Sequence, residues 1–241
     1  MTLPQQSNPA PAGREPVFNL SAVVVAIIAG CTLVHLVRGY ALTPAQDFEF
    51  LLRTAFIPIR YSGQFEIDFF AWTSPVTYSL IHGDFIHLLI NMIWLAAFGS
   101  PLANRIGTIR FLAFWVFTSV AAVLLHYAVH AGDQAMVVGA SGAVSGMMAA
   151  AARFGFSVDR SARRPAFAGR RLPLAAVFRR RNVVVFLGAW FAINLIAGFG
   201  YLVPGDDRSI AWEAHIGGFL AGFFGLAMFD RGQVAQNGQR F

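Results

Sequence analysis

Four side chains in this 241-residue sequence have the types and spacing for acyl-transfer chemistry: Ser141, His215, His87 and Asn91. A serine hydroxyl becomes a nucleophile when an imidazole takes its proton. His215, Gly218 and Gly222 fall at i, i+3 and i+7, one stripe of a helix. Ser141, Gly142, Ser145, Gly146 and Ala149 form a similarly small face on another. Small-residue faces let membrane helices approach until their backbones nearly touch, which would bring the Ser141 hydroxyl within reach of the His215 ring. The run Gly139-Ala140-Ser141-Gly142 puts the serine at a helix N-terminus, where free backbone N–H groups favour a developing oxyanion. His87 and Asn91, at i and i+4, share one helix face and could supply further donors.

Each piece has a plainer explanation when taken alone. A GxSG run in a glycine-rich helix is more often packing than catalysis, and a histidine in a membrane helix can simply bond a carbonyl. The soluble-hydrolase elbow GxSxG is absent, since residue 143 is Ala. His82 and His87 could be metal ligands, but an i, i+5 spacing would divide them across a helix, and no HExxH occurs. The single cysteine, Cys31, excludes a disulfide framework and a cysteine-rich metal site. His126 and Asn194 have no evident partner and read as structural. The chemistry needs no metal and no cofactor.

The elements that must position these groups are membrane helices. Hydrophobic residues make up 56% of the chain and charged residues 12%, with a mean hydropathy of +0.58. Soluble domains carry about 25% charged residues, so an ordinary cytosolic enzyme and a disordered chain are excluded. The net charge of +6 does not mark a nucleic-acid partner, because most of it sits in one short loop rather than on a continuous face. Apolar runs cover about 17–37, 85–102, 111–129, 140–152, 183–201 and 211–229. In lipid each can satisfy its backbone only as a helix, which predicts an all-α, polytopic bundle of six transmembrane helices. Residues 1–16 and 230–241 read as tails flanking one membrane domain, 17–229. Ile28-Ala29-Gly30-Cys31 is similar to a lipoprotein cleavage box, but the apolar run continues past it, so the first span is expected to stay.

Arg160, Arg163, Arg164, Arg170, Arg171, Arg179, Arg180 and Arg181 lie between the fourth and fifth spans, which puts that loop and both termini in the cytoplasm. Span two, span four and span six then all start outside, and each carries a polar group near its start. His215 would lie about 6 Å inside, at 1.5 Å of rise per residue. Chance would scatter such groups. No acid lies deep in a span, and Asp84 and Glu213 sit at outer ends, which argues against a proton-coupled carrier.

The same residues resemble the rhomboid family of intramembrane serine proteases. Three motifs occur in the family's order: His82 to Met92 with the HxxxN pair His87 and Asn91, then Gly139-Ala140-Ser141-Gly142, then Ala214 to Gly222 as AHxxGxxxG. The resemblance implies a six-helix rhomboid bundle in the cell (inner) membrane, with a membrane-embedded L1 loop over about 40–74 and a gate near span five over 202–210. It implies Ser141 as nucleophile and His215 as general base, with no carboxylate. His87, Asn91 and the Ser141 backbone N–H would bind the oxyanion, with His82, Gly139, Gly142, Gly218 and Gly222 in support. Substrates would be single-span membrane proteins with helix-destabilised segments, cut near the outer face. Some members carry a tyrosine one turn after the nucleophile, stacked on the histidine; this chain has Ser145 there, which leaves the orientation of His215 to other packing. A non-proteolytic rhomboid-like protein that binds membrane clients, and a small-solute transporter, are the alternatives.

Overall fold

A computed structural model describes residues 20–154, 171–198 and 211–231. The expected tail at 1–16, all of the expected tail 230–241 beyond residue 231, Arg160, Arg163, Arg164 and Arg170 of the arginine cluster, and the gate at 202–210 lie outside the described residues.

Helices stand where the apolar runs predict them, because lipid gives a backbone no alternative partner. The first is α1 (Ala22–Tyr40). The segment after it holds α2 (Pro44–Thr54), a 3₁₀ turn at Pro58–Tyr61 and α3 (Phe69–Thr77). Helix α2 starts at a capping box in which Thr43 and Gln46 satisfy each other's backbone N–H, with Pro44 preset at the first position. Next come α4 (Phe85–Trp94) and α5 (Ser100–Ile106), joined through one wide π turn at Leu95–Gly99. Pro101 has no N–H for the carbonyl four residues back, and the wide turn absorbs that gap. Gly107, at φ 82°, separates α5 from α6 (Thr108–His130). Then follow α7 (Ser141–Phe154), the short α8 (Leu174–Val177), α9 (Arg181–Gly198) and α10 (Trp212–Phe229).

Among the described residues, three continuous helices are long and apolar enough to cross a bilayer: Ala22–Tyr40, Phe85–Ile106 and Thr108–His130. Helix α7 has only 14 residues, and every one from Gly142 to Phe154 is buried. It is the centre of the bundle, surrounded by protein rather than lipid, so it needs no full apolar span of its own. Helix α10 packs against α6 on one side and α7 on the other.

The two ends of the bundle differ. At the end away from Ser141, Arg105 pairs with buried Asp230 at 2.9 Å, and Arg153 donates to the carbonyls of Phe223 and Leu172. At the Ser141 end, loops and helix ends converge on the segment before α7, and Arg38–Asp47 and His130–Glu213 pair there.

Candidate active site

Ser141 is the first residue of α7, and three contacts place it. An isolated antiparallel bridge joins Phe56 to Val137, with N···O distances of 3.1 and 2.8 Å. The Gly139 N–H donates to the Tyr78 carbonyl at 3.0 Å, and the Ala140 N–H to His82 Nε2 at 3.4 Å. The segment between α1 and α4 is therefore the template for the nucleophile loop. Arg38, at the end of α1, ties this template down: it pairs with Asp47 at 2.7 Å and donates to the His82 carbonyl at 2.8 Å.

Gly139 sits at φ 125°, and a Cβ there would lie 2.7 Å from His87 Nε2. Only glycine tolerates both the backbone angle and the imidazole packed over it. His87 and His82 are edge to face, with centroids 5.2 Å apart. This corrects the helical-spacing argument that separated them: α4 begins only at Phe85, with Asp84 as its cap, so His82 is on the loop and folds back beside His87. Burial, with His87, His35 and Arg38 nearby, pushes the His82 imidazole down to about 3, so the ring is neutral and its Nε2 can accept. Asn91 is buried and donates from Nδ2 to the His87 carbonyl at 2.8 Å.

His215 Nε2 lies 2.8 Å from Ser141 Oγ. The approach depends on glycines. A Cβ on Gly218 would overlap the Gly142 backbone, and one on Gly222 the Gly146 backbone. A Cβ on Gly142 would fall 2.6 Å from Ala122 Cβ on α6. With no side chains between them, α7 and α10 touch backbone to backbone, and the imidazole reaches the hydroxyl. Both residues remain half-buried rather than sealed.

The other ring nitrogen carries a finding that the sequence did not suggest. His215 Nδ1 lies 2.6 Å from Asn194 Oδ1 on α9. Asn194 Nδ2 donates to the Trp190 carbonyl at 2.9 Å, which turns the amide oxygen toward the ring. An amide oxygen can only accept, so Nδ1 carries the hydrogen and Nε2 presents its lone pair to the serine. Asn194 is thus not a structural residue without a partner, as its isolation in sequence suggested. No sequence signal finds it, because the contact joins residues 21 apart on different helices. Ser145 is buried one turn below Ser141. His126 lies on α6 beside His130, facing Glu213 of α10 rather than the Ser141 hydroxyl.

The sequence profile of the rhomboid domain matches residues 70–231, which include every one of these groups except Phe56 and the α1–α2 supports. The chain belongs to the rhomboid family. This rhomboid is a multi-pass membrane protein of helical-bundle fold. It is 29% identical to a RHOMBOID-like protein 5 of Arabidopsis thaliana over 145 residues, 60% of this chain and 40% of that protein. It is 28% identical to the rhomboid protease GlpG of an Enterobacter species over 146 residues, 61% of this chain and 44% of the relative. With the GlpG of Serratia proteamaculans it shares 26% over 164 residues, 68% of this chain and 50% of that one. The chain thus spans half or less of the length of the curated relatives it matches.

Proposed function

We propose that this rhomboid is an intramembrane serine endopeptidase that cuts single-span membrane proteins near the outer membrane face, using Ser141 as nucleophile and His215 as base. The observation that carries the reading is the aligned chain Asn194 Oδ1, His215, Ser141 Oγ, at 2.6 and 2.8 Å. In the first half-reaction His215 Nε2 takes the hydroxyl proton as Ser141 Oγ attacks the scissile carbonyl. The tetrahedral oxyanion faces the free N–H groups at the start of α7, the His87 ring and the second amide hydrogen of Asn91. Collapse expels the amine, which takes the proton from His215, and leaves an acyl-enzyme. His215 then deprotonates water, whose attack releases the acid and restores the serine. Asn194 acts through His215 by holding its tautomer, a positioning role that a carboxylate or a stacked tyrosine would otherwise fill.

The half-buried dyad sits at helix starts rather than mid-bundle, which supports delivery of water from the outer face. Substrate would approach beside α9 as an extended strand, so a stably helical segment is a poor substrate. The test is cleavage of a helix-destabilised single-span reporter by the full chain in liposomes. Ser141→Ala is expected to abolish cleavage and fluorophosphonate labelling, and His215→Ala to do the same, a loss of at least about 10³-fold for removing a nucleophile or base that act as a unit. Wild-type binding without cleavage would instead indicate a client-binding protein, and unchanged cleavage by Ser141→Ala would remove the dyad.

A further inference from the structure

A second constellation lies on the same end of the bundle, outside the dyad. His126 and His130 stand at i and i+4 on the last turns of α6, with rings 4.7 Å apart, and Glu213 faces them from the first turn of α10. One ligand atom from each lies within 4.8 Å of the others. His130 Nε2 is 3.0 Å from Glu213 Oε1, and His126 Nδ1 is 3.6 Å from Glu213 Oε2.

His126 is the residue that demands an explanation. It is 6% exposed, and among the described residues neither of its ring nitrogens has a hydrogen-bond partner. A buried polar group left without a partner is costly, and native structures keep few of them. Its Nδ1 points at a carboxylate oxygen that stands too far away to bond and close enough to share a third atom.

We infer that His126, His130 and Glu213 form a binding site for a divalent transition cation of the Zn²⁺ class. Tetrahedral zinc with ligands at about 2.0–2.2 Å puts its ligand atoms about 3.3–3.6 Å apart. Each imidazole faces its own Glu213 oxygen near that spacing, His130 Nε2 at 3.0 Å from Oε1 and His126 Nδ1 at 3.6 Å from Oε2. Two imidazoles and one carboxylate are a borderline donor set that suits Zn²⁺ over Mg²⁺ or Ca²⁺ and leaves a fourth position for water. The outer shell is also present: Asp133 Oδ2 lies 2.9 Å from His130 Nδ1, the carboxylate–histidine arrangement that fixes a ligand ring and raises its basicity. The cation clamps the end of α6 to the start of α10, two residues before His215, so its binding stabilises the part of α10 that carries the base.

The experiment titrates Co²⁺ alone into the purified full chain, prepared without a histidine tag, and reads the visible absorption of tetrahedral cobalt. One equivalent is expected to develop the bands and Zn²⁺ to bleach them, with Zn²⁺ also raising the thermal midpoint. His126→Gln and Glu213→Gln are each expected to weaken Co²⁺ binding at least tenfold. His130→Gln, whose side chain is 32% exposed, gives the same reading without disturbing a buried group. Ser141→Ala is expected to bind as the wild type does, so this result stands apart from that of the protease assay. Absence of cobalt bands in the folded wild type, or bands unchanged in all three variants, overturns the site.

Discussion

On one side of His215 the α10 backbone lies directly against α7, with Gly218 over Gly142 and Gly222 over Gly146. On the other side α9 reaches the imidazole through one amide, Asn194, and supports that contact with a ring stack of Trp190 on Phe219 at 4.2 Å. The first contact has no side chain that can yield, so any added atom must separate two helices. The second is built of side chains, Asn194 on His215 and Trp190 on Phe219, which can change rotamer without separating two backbones. Their glycines show the same contrast: a Cβ on Gly188 of α9 meets nothing within 4 Å. For the proposed proteolysis the two contacts would divide the work, the rigid face setting the Ser141–His215 distance and the side-chain face yielding beside it.

The largest effect expected from breaking this contrast is on the rigid side. Gly218→Val or Gly222→Val should destabilise the bundle by at least about 3 kcal/mol, the upper range for overpacking, because the clash is with backbone. Loss of the folded state in a detergent unfolding titration, together with loss of fluorophosphonate labelling, would register it. A folded, active Gly222→Val protein would mean that the helices are not in contact there.

An intermediate effect is expected where the yielding side meets the chemistry. Asn194→Ala should lower kcat about ten- to a hundredfold with little change in KM, less than the full 10²–10⁴ of general base catalysis, since His215 itself remains. Asn194→Asp keeps an acceptor at the same place and should recover much of the rate. Equal activity in all three proteins would assign the orientation of His215 to another group. The smallest effect is predicted for Gly188→Ala, a gain of stability up to about 1 kcal/mol from helix propensity alone, with cleavage unchanged.

Much of this was legible in the residue order, for reasons that can be named. Apolar runs of membrane length predicted helices because lipid excludes every other backbone state. The i, i+3, i+7 stripe of His215, Gly218 and Gly222 announced a close helix contact, since glycine on one face has no other use there. Ser141, His87 and Asn91 were visible because polar residues in such segments are rare. Asn194 and His126 are equally rare and equally polar, yet both read as residues without a role. Their partners come from other helices, and no local period encodes which face of α9 or α6 turns toward α10. The placement of His82 failed for a different reason: helical spacing was applied across the Asp84 cap, where the helix had not begun.

By itself the sequence determined that this chain is a bundle of apolar helices, and that a serine at a helix start and a histidine on a glycine stripe are its reactive candidates. Those are consequences of local physics, of backbone satisfaction in lipid and of side-chain periodicity. Tertiary structure alone decided that Asn194 sets the His215 tautomer, that the segment between α1 and α4 holds the nucleophile loop through Phe56, Tyr78 and His82, and that Glu213 meets His126 and His130. Each of these is a meeting of side chains or loops far apart in the chain. Their distances depend on how whole helices rotate and tilt against one another, and that is settled by the sum of the packing rather than by any one segment.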